Sequence, residues 1–244
     1  MEKKKVVAVI LAAGKGVRMQ SDIPKVFHKL RGKPLLQYVV ETVQKIGVLD
    51  IYIVVGHKKE LITEYFNGWP LKFVEQEHQL GTGDAVKTVE SYLKDFNGTI
   101  LVLAGDVPLL SDDTLRNLIG FHEQNNAAAT DLTAELPNAG NYGRIIRDMD
   151  GKIVKIVEKK DATEEELKIK EINTGTFCFN SSDLFWALSR VKSDNVQREY
   201  YLTDTIEILK KEGRSVFAYL APNYKETLGI NTKEELSALE EMLS

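Results

Sequence analysis

Two glycines and two cations stand close together near the start of the chain, and their types and spacing suit the binding of phosphate. Gly14 and Gly16 allow a tight turn in which successive peptide N–H groups can form an anion-binding concavity. Arg18 can grip phosphate oxygens with two parallel hydrogen bonds, and Lys25 adds a compact, mobile charge. The combination predicts a triphosphate or pyrophosphate site. The alternative is a glycine turn with a solvated cationic face.

The same segment lacks the marks of two commoner glycine-rich phosphate motifs. A dinucleotide-binding fingerprint needs Gly or Ala three residues after Gly16, where this chain has Met19. A P-loop needs Ser or Thr after Gly-Lys, and neither Gly-Lys pair of this segment has one. The pattern that remains, LAAGKGVRM followed by Pro24-Lys25, resembles the signature of sugar-nucleotide pyrophosphorylases.

Two further polar groups of the first half could serve a nucleotide and its metal. Asp106 follows an apolar run and Gly105, and one carboxylate at such a strand end is a common way to hold Mg²⁺. A turn-capping Asp is the alternative. Gln76 offers a donor and an acceptor to a nucleobase edge, and the Gly81-Thr82 pair permits close approach. A solvated glutamine is the alternative at that position.

Polar groups that suit a sugar with several hydroxyls lie at predicted strand and helix ends of the second half. They occupy positions 142–144, 158, 171–175 and 199–204. Glu158 has the alternative of a surface charge beside two lysines, and Thr203 has that of a helix cap. The sequence contains neither a His and Cys cluster with metal-ligand spacing nor a nucleophile elbow, so zinc chemistry and serine hydrolysis are not indicated.

Alternating strands and helices in the first half predict how these groups are positioned. The predicted strands are 6–11, 51–55, 71–74 and 100–104, and the predicted helices are 35–46, 59–66 and 82–93, the last capped by Thr82. This order indicates an α/β chain with a doubly wound, mostly parallel sheet, in which ligands bind beyond the carboxyl ends of the strands. Gly14, Gly81 and Asp106 all fall at such ends.

The second half is predicted to continue the sheet with a β-hairpin-containing sugar-binding lobe. Its predicted strands are 132–136, 144–147, 153–158, 172–179 and 216–220, and its predicted helices are 111–124, 182–191, 202–211 and 232–242. The turn Asp150-Gly151 is a hairpin signal. Because no linker divides the chain, we expect a single nucleotidyltransferase domain over 1–244. Residues 1–110 are assigned mainly to the nucleotide, 111–231 mainly to the sugar, and 232–244 to a C-terminal helix.

Composition excludes several classes of protein. The chain has 43% hydrophobic and 28% charged residues and a net charge of -4, so disorder and nucleic-acid binding are not indicated. No apolar stretch approaches the ~20 residues of a membrane helix. The single cysteine, Cys178, fits a reducing compartment, and the expected location is the cytoplasm. The N-terminal MEKKKVVAVILAAG imitates a signal peptide, but its cleavage would remove the strand before the loop that contains Gly14 and Gly16, which we call the glycine loop.

Nine segments in order carry a more specific resemblance. They are LAAGKGVRM, PKVFHKLRGKP, EQEHQLGTGDAV, GDVPL, YGRI, VEKKDAT, EINTG, EYYLTD and GINTKEEL. Together they resemble the uridyltransferase domain of bacterial N-acetylglucosamine-1-phosphate uridyltransferases, over essentially the whole chain. The resemblance implies a Rossmann-like nucleotidyltransferase fold. It also implies Mg²⁺-dependent transfer of UMP from UTP to N-acetylglucosamine-1-phosphate (GlcNAc-1-phosphate), for cell-envelope precursor synthesis.

The resemblance also implies a role for individual residues. The nucleotide is expected to contact Leu11, Ala12, Ala13, Gly14, Lys25, Gln76, Gly81, Thr82 and Gly105. The amino sugar is expected to contact Gly143, Glu158, Asn173, Tyr201 and Thr203. Arg18, Lys25 and Asp106 are the expected catalytic residues, the first two on the phosphates. Asp106 and Asn231 are the expected Mg²⁺ ligands, and the role of Asn231 comes from the resemblance alone.

Two departures and two alternatives stay open. Ala104 stands where some relatives carry a bulky Tyr, so a side-chain contact from that position is lost. The hexapeptide repeats of familiar family members are absent, so acetyltransferase activity and the trimer that those repeats build are not expected of this chain. The nearest alternative is the same reaction with another sugar phosphate or nucleotide, such as glucose-1-phosphate or dTTP. The other is a non-catalytic nucleotide-binding regulatory module. The oligomeric state is left open.

Overall fold

The computed structural model describes residues 5–243, whose strands form a nine-stranded sheet and a two-stranded ribbon. The strands are β1 (Val6–Leu11), β2 (Lys29–Leu30), β3 (Lys33–Pro34), β4 (Ile51–Val55), β5 (Lys72–Glu75), β6 (Thr99–Ala104), β7 (Ala129–Glu135), β8 (Arg144–Arg147), β9 (Ile153–Val157), β10 (Glu171–Asn180) and β11 (Val216–Leu220). The main sheet has the order β11-β7-β10-β6-β1-β4-β5, with β8 beside β10 and β9 beside β8. The ribbon pairs β2 with β3.

The centre of the sheet is parallel and fully buried. Strand β1 pairs in parallel with β6 on one side and β4 on the other, and β4 pairs in parallel with β5. The four middle residues of β1 have no exposed surface, which confirms the strand buried on both faces that its continuous apolar run predicts. Strand β10 runs antiparallel to both β6 and β7, so the sheet is mixed.

Helices cover both faces of the sheet. They are α1 (Leu35–Ile46), α2 (Lys59–Tyr65), α3 (Thr82–Lys87), α4 (Glu90–Leu93), α5 (Asp112–Gln124), α6 (Ser181–Leu188), α7 (Asp204–Lys211) and α8 (Lys233–Met242). Apolar side chains of α1, α2 and α5 fill one core layer, and those of α3, α4, α6 and α7 fill the other. The predicted doubly wound α/β architecture is confirmed. None of the helices in residues 5–243 is both long and apolar enough to span a bilayer.

The predicted helix over 82–93 is wrong in two respects. Gly81, with a φ of 114°, is the N-cap, and Thr82 is the first helical residue. The hydroxyl of Thr82 accepts the N–H of Leu202 at 3.0 Å, so a distant segment uses the oxygen that was expected to cap the helix. The helix also ends after residue 87, where the Thr88 hydroxyl donates to the Ala85 carbonyl. Side-chain hydrogen bonds of this kind compete with helix propagation.

The second half adds the strands and the helix that close the site. Strands β8 and β9 form the hairpin predicted at Asp150-Gly151. Strand β7 begins earlier than predicted, because Thr130 and Asp131 are polar yet have no exposed surface. Opposite it, the register of β10 shifts between Asn173 and Phe177, which marks a β-bulge.

Helix α8 returns to the first half of the chain. Leu239 of α8 and Ile230 pack against Leu30 and Leu35 in a small apolar cluster. The Arg31 backbone N–H donates to Glu240 Oε1 at 3.2 Å, at the edge of the same contact. The segment that precedes α8 is therefore held against the start of the fold, where the glycine loop lies.

Candidate active site

Four polar side chains from three distant parts of the chain meet beyond the carboxyl end of β6. Lys25 Nζ donates to Asp106 Oδ2 and, at 3.0 Å, to Asn231 Oδ1. Arg18 Nη2 donates to the same Asn231 oxygen at 2.8 Å. Two cations therefore face one carboxylate and one amide oxygen. Such a group can neutralise phosphate charge, and its two oxygens point at a common cationic position.

Gly16 sets how the glycine loop approaches Lys25. Its φ of 62° lies in the left-handed region, and a Cβ there would lie only 2.5 Å from Lys25 Cβ. Glycine is therefore needed for the backbone conformation and for the close contact. Arg18 lies in the 3₁₀ turn Val17–Met19 that follows, and Lys25 begins a second 3₁₀ turn directly after Pro24.

Backbone contacts fix Asp106 between the glycine loop and the segment before α8. The N–H of Gly105 donates to the Leu11 carbonyl at 3.0 Å, which extends the pairing of β6 with β1 by one residue. The Asp106 carbonyl accepts the N–H of Ile230 at 2.9 Å. A Cβ on Gly229 would lie 3.4 Å from Asp106 Oδ2, so the two segments are in van der Waals contact there.

The start of α8 orients Asn231. Thr232 and Glu235 form a capping box, in which the Thr232 hydroxyl accepts the N–H of Glu235. Glu235 Oε2 also accepts the N–H of Asn231 at 2.6 Å. The capped helix end therefore fixes the backbone of Asn231, and its side chain reaches Lys25 and Arg18.

Asp106 and Asn231 suit Mg²⁺ better than a transition metal. No group of three or more His, Cys, Asp or Glu side chains within residues 5–243 could hold a metal ion. The two oxygens, one charged and one neutral, already converge on the Lys25 ammonium. Mg²⁺ commonly takes one or two protein carboxylates and keeps water and phosphate oxygens as its other ligands. The donor set fits that pattern, and the metal role of both residues stays a prediction.

Two clefts open from this point and share Ala104 and Asp106 in their walls. One, which we call the loop cleft, has a volume of about 740 Å³ and lies beside the glycine loop. The other, which we call the hairpin cleft, has a volume of about 470 Å³ and lies beside β8 and β10. The loop cleft is lined by Leu11, Ala12, Ala13, Gly14, Lys25, Gln76, Gly81 and Thr82. The hairpin cleft is lined by Arg18, Gly143, Glu158, Asn173 and Asn231.

In the loop cleft, Gln76 is held in one orientation by its neighbours. Its Nε2 donates to the Gly81 carbonyl at 3.1 Å and to Asp84 Oδ2 at 2.7 Å. Both amide hydrogens are thus used within the protein, and the residue is 4% exposed. Oε1, an acceptor, is therefore the amide atom of Gln76 that is left for a ligand in the cleft. The sequence allowed Gln76 to offer both a donor and an acceptor to a nucleobase, whereas the folded protein leaves only the acceptor.

Gly81 lets the loop cleft close against the second half of the chain. With a Cβ, residue 81 would meet the Tyr200 carbonyl at 2.5 Å. The Tyr200 N–H donates to the Leu80 carbonyl and its carbonyl accepts the Gly83 N–H, each at 2.7 Å. These strand-like contacts join the two halves at the rim of the cleft.

In the hairpin cleft, Glu158 and Asn173 supply the polar groups that were predicted to bind a sugar. Thr203 donates its hydroxyl to Glu158 Oε1 at 3.2 Å. Burial raises the pKa of Glu158, and nearby carboxylates, Asp204 foremost, raise it further, whereas the hydrogen bond from Thr203 lowers it. Asn173 Oδ1 accepts the Gly175 N–H at 2.8 Å inside the β-bulge, which aims its amide group.

Three predicted site residues line neither cleft: Gly105, Tyr201 and Thr203. Gly105 joins β6 to the glycine loop, and Thr203 lies behind Glu158. Tyr201 is 6% exposed, and its hydroxyl accepts from Gln197 Nε2 at 2.7 Å. Burial raises the pKa of Tyr201 to about 12, so the phenol stays protonated. Direct substrate contact by these three residues stays a prediction.

A known protein family matches the first part of the chain. Residues 8–149 match the family described as MobA-like NTP transferase domain, which is more than half of the sequence. The chain belongs to this family. The matched range includes the glycine loop, Lys25 and Asp106, but it ends before Asn231.

Relatives with the name bifunctional protein GlmU match almost the whole chain. The protein of Enterococcus faecalis is 46% identical over 236 residues, which are 97% of this chain and 51% of that protein. The protein of Bacillus mycoides is 50% identical over 233 residues, which are 96% and 50%. These matches confirm the resemblance seen in the nine segments. The chain spans about half the length of the curated relatives it matches.

Solved structures confirm the nucleotidyltransferase fold. A crystal structure of UDP-glucose pyrophosphorylase complexed with UDP-glucose superposes with a TM-score of 0.80 and covers 98% of both chains. An apo structure of UDP-glucose pyrophosphorylase gives a TM-score of 0.76. The identities are 21% and 20%, so these likenesses concern the fold.

Sequence reasoning did not single out Asp84, and it assigned Tyr142 only to the polar groups that suit a sugar, without its contact to Gly229. Asp84 holds the amide of Gln76, and the Tyr142 hydroxyl accepts the Gly229 N–H at 2.8 Å. A weak signal exists for the first, because Asp84 lies in the helical turn directly after Gly81. Burial raises the pKa of Tyr142, which therefore stays a neutral phenol beside Asp106.

Proposed function

We propose that this chain transfers UMP from UTP to GlcNAc-1-phosphate and releases pyrophosphate. The observation that carries the proposal is the meeting of the two clefts at Asp106, where Arg18, Lys25 and Asn231 converge. A donor in one cleft and an acceptor in the other would meet beside two cations. The similarity to bifunctional GlmU proteins supports UTP and the amino-sugar phosphate as the pair.

UTP is proposed to occupy the loop cleft. The backbone of residues 11–14 would lie along the nucleotide, with the phosphates toward Arg18 and Lys25. Uracil carries one ring N–H donor, and Gln76 Oε1 is the acceptor that the structure leaves available for it. GlcNAc-1-phosphate is proposed to occupy the hairpin cleft, with hydroxyl or amide groups toward Glu158 and Asn173.

The chemistry needs alignment and charge neutralisation more than a catalytic base. The sugar phosphate is already an oxyanion near neutral pH, so its oxygen can attack the α-phosphorus as pyrophosphate leaves from the opposite side. A new phosphorus–oxygen bond forms and the α–β bridging bond breaks, with both electrons passing to pyrophosphate. Lys25 would neutralise charge on the α-phosphate, and Arg18 with the glycine loop would hold the leaving group.

Asp106 and Asn231 are proposed to hold Mg²⁺. When bound, the ion would be held by the two protein oxygens and would supply positive charge at the phosphates. The fit rests on the shared direction of the two side-chain oxygens and on the preference of Mg²⁺ for oxygen ligands. Nucleotidyltransferases of this kind generally use a divalent ion. The proposed location of the reaction is the cytoplasm.

A second candidate is the same reaction with glucose-1-phosphate. The likeness of the fold to UDP-glucose pyrophosphorylase favours it, although at 21% identity. A non-catalytic nucleotide-binding module is the third candidate. Binding alone does not require the convergence of Arg18, Lys25, Asp106 and Asn231 on one point, so that candidate is less well supported.

Pyrophosphate release across a panel of substrates separates the three candidates. The wild-type chain is assayed with Mg²⁺, UTP or dTTP, and a series of sugar-1-phosphates. We expect the largest kcat/KM with UTP and GlcNAc-1-phosphate. A larger value with glucose-1-phosphate would establish the second candidate, and binding of UTP without release in any combination would establish the third.

A further inference from the structure

Tyr142 lies in the wall of the hairpin cleft and reaches across to the segment before α8. It is partly buried and packs against the apolar layer that includes Val107 and Leu136. Its hydroxyl accepts the Gly229 N–H at 2.8 Å, a contact between residues 87 positions apart in sequence. Gly229 lies two residues before Asn231, so this bond acts on the segment that carries a proposed metal ligand.

The loop that carries Tyr142 is itself rigidly held. Arg144 is 3% exposed, and its guanidinium donates to three backbone carbonyls of this loop. It reaches the Ala139 and Gly140 carbonyls at 3.3 Å each, and it also donates to the Tyr142 carbonyl. A buried guanidinium bonded in this way fixes the loop, so the Tyr142 hydroxyl is a firm anchor and not a mobile surface group.

Gly229 is enclosed between the Tyr142 hydroxyl and Asp106. A Cβ on it would lie 3.7 Å from the hydroxyl oxygen and 3.4 Å from Asp106 Oδ2. On the far side, the Ile230 N–H donates to the Asp106 carbonyl at 2.9 Å. Two successive backbone N–H groups thus have partners on two different elements, and the Gly229 carbonyl accepts from Asn231 Nδ2 at 3.3 Å.

We infer that Tyr142 is a positioning residue. It holds residues 229–231 against Asp106 and so sets where the side-chain oxygen of Asn231 lies. The inference rests on the proposed function for its kinetic consequences, since the proposed role of Asn231 belongs to that function. Loss of the hydroxyl leaves the Gly229 N–H without its acceptor and the segment with one clamp in place of two.

Tyr142→Phe removes the hydroxyl and keeps the ring that packs in the core. Because small displacements of reacting groups slow transfer steeply, we expect kcat to fall by roughly tenfold to a hundredfold. KM for UTP should change by less than about threefold, since the loop cleft is untouched. Tyr65→Phe is the matched control: that hydroxyl donates to Gln37 Oε1 at 2.6 Å away from both clefts, and its loss should leave kcat unchanged.

A double-mutant cycle with Asn231→Ala separates clamping from direct sugar contact. If Tyr142 acts through Asn231, Tyr142→Phe should lower kcat by less than about twofold in the Asn231→Ala background. If Tyr142 instead contacted the sugar, Tyr142→Phe would lower kcat by the same factor in both backgrounds and would raise KM for the acceptor. That second pattern would overturn the inference and assign Tyr142 to the substrate.

Hydrogen–deuterium exchange of the substrate-free protein tests the clamp without relying on the reaction. Tyr142→Phe should speed exchange in peptides that contain Gly229 by at least several-fold, with no change in peptides from β1 or α1. Tyr65→Phe should leave the Gly229 peptides unchanged. Unaltered exchange at Gly229 in a folded Tyr142→Phe protein would overturn the inference. If the wild type transferred no nucleotide while exchange responded as expected, the proposed function would fail and the clamp would stand.

Discussion

Lys25 joins the parts of the candidate site at the scale of single residues. Its ammonium contacts Asp106 and Asn231, which come from the end of β6 and the start of α8. Its Cβ lies against Gly16, so the glycine loop is fixed to the same side chain. A charge held by packing and by two oxygens is preorganised for the phosphates that the site is proposed to bind.

Lys25→Ala should therefore lower kcat far more than it weakens UTP binding. Charge on the α-phosphate grows in the transition state, and loss of one preorganised electrostatic group costs roughly 10²–10³ in kcat, or ~3–4 kcal/mol. Steady-state kinetics give kcat, and calorimetry gives the Kd for UTP. Lys29→Ala, at an exposed position of β2, is the control and should be neutral. Unchanged turnover with a raised KM would mean that Lys25 only binds the ground state.

Asp131 is a buried carboxyl outside the proposed chemistry. It has no exposed surface, and neither of its oxygens has a hydrogen-bond partner within the described chain. Burial holds its pKa well above the ordinary value, and the nearby Glu171 and Glu158 raise it further against a smaller opposing effect of Arg147. The folded protein therefore keeps a proton there at pH values where the unfolded chain has lost it.

This burial gives the stability of the protein a pH dependence. Above the ordinary pKa of 3.8 the folded state binds more protons at Asp131 than the unfolded state, so its contribution to stability falls as pH rises toward the folded pKa. The slope is at most about 1.4 kcal/mol per pH unit. Asp131→Asn should flatten the decline and raise Tm at pH 8 while changing it little at pH 4. Thermal unfolding across pH measures both.

The control for Asp131 is an acid of the same type on the surface. Asp150→Asn, in the exposed turn between β8 and β9, should leave the pH dependence of Tm unchanged. If Asp131→Asn and the wild type declined in parallel between pH 5 and pH 8, the carboxyl would be ionised in the folded state and this account of it would be wrong.

At the scale of elements, the site depends on β6 and α8 meeting. Asp106→Asn keeps nearly the same shape and removes the charge, so we expect little change in Tm, a raised Mg²⁺ requirement and a large fall in turnover. Asn231→Ala should show a milder form of the same defect, because water can replace a neutral ligand. Chelation of divalent ions should abolish wild-type turnover. Wild-type Mg²⁺ dependence in both variants would mean that the metal lies elsewhere.

Sequence reasoning predicted the elements better than the contacts between them. The apolar run of β1, the Pro34 and Gly47 boundaries of α1 and the Ser111 cap of α5 are local signals, and the structure has these elements at those places. Thr82 was assigned wrongly because its hydroxyl bonds to Leu202, 120 residues away. No local pattern reports such a partner. The same limit applies to Tyr142 and Gly229.

The candidate site shows the same limit. The types and spacing of Arg18, Lys25 and Asp106 predicted phosphate and metal chemistry, and the structure brings the three together with Asn231. The acceptors of the two Gln76 amide hydrogens could not be foreseen, because they depend on the fold of the segment that contains Asp84. Sequence thus indicated which groups are candidates for the site, and the fold determines which of their atoms remain available.

At the scale of the whole molecule, one sheet carries both clefts. Strands β1 and β6 end at the loop cleft, β8 and β10 border the hairpin cleft, and the 80–83 and 200–202 backbones join the halves at the rim. A donor and an acceptor bound on one rigid sheet need little rearrangement to reach each other, which favours transfer over hydrolysis.

Acceptor choice belongs to this scale, because the hairpin cleft is built from several elements. Glu158, which accepts a hydrogen bond from Thr203, and Asn173 supply polar atoms to its wall. A site built around substrate hydrogen bonds penalises an analogue that leaves its polar atoms unpaired. We expect a higher kcat/KM for GlcNAc-1-phosphate than for glucose-1-phosphate at equal UTP. Equal values would remove the basis for assigning an amino sugar.

We propose that the chain joins UMP to a sugar phosphate and does not merely hydrolyse or bind UTP. The most direct test of this proposal is to incubate the protein with UTP, Mg²⁺ and GlcNAc-1-phosphate, to quantify pyrophosphate and to identify the nucleotide product by mass spectrometry. We expect one UDP-N-acetylglucosamine for each pyrophosphate, and almost no pyrophosphate when the sugar phosphate is omitted. Pyrophosphate accompanied by free UMP, or UTP left intact, would contradict it.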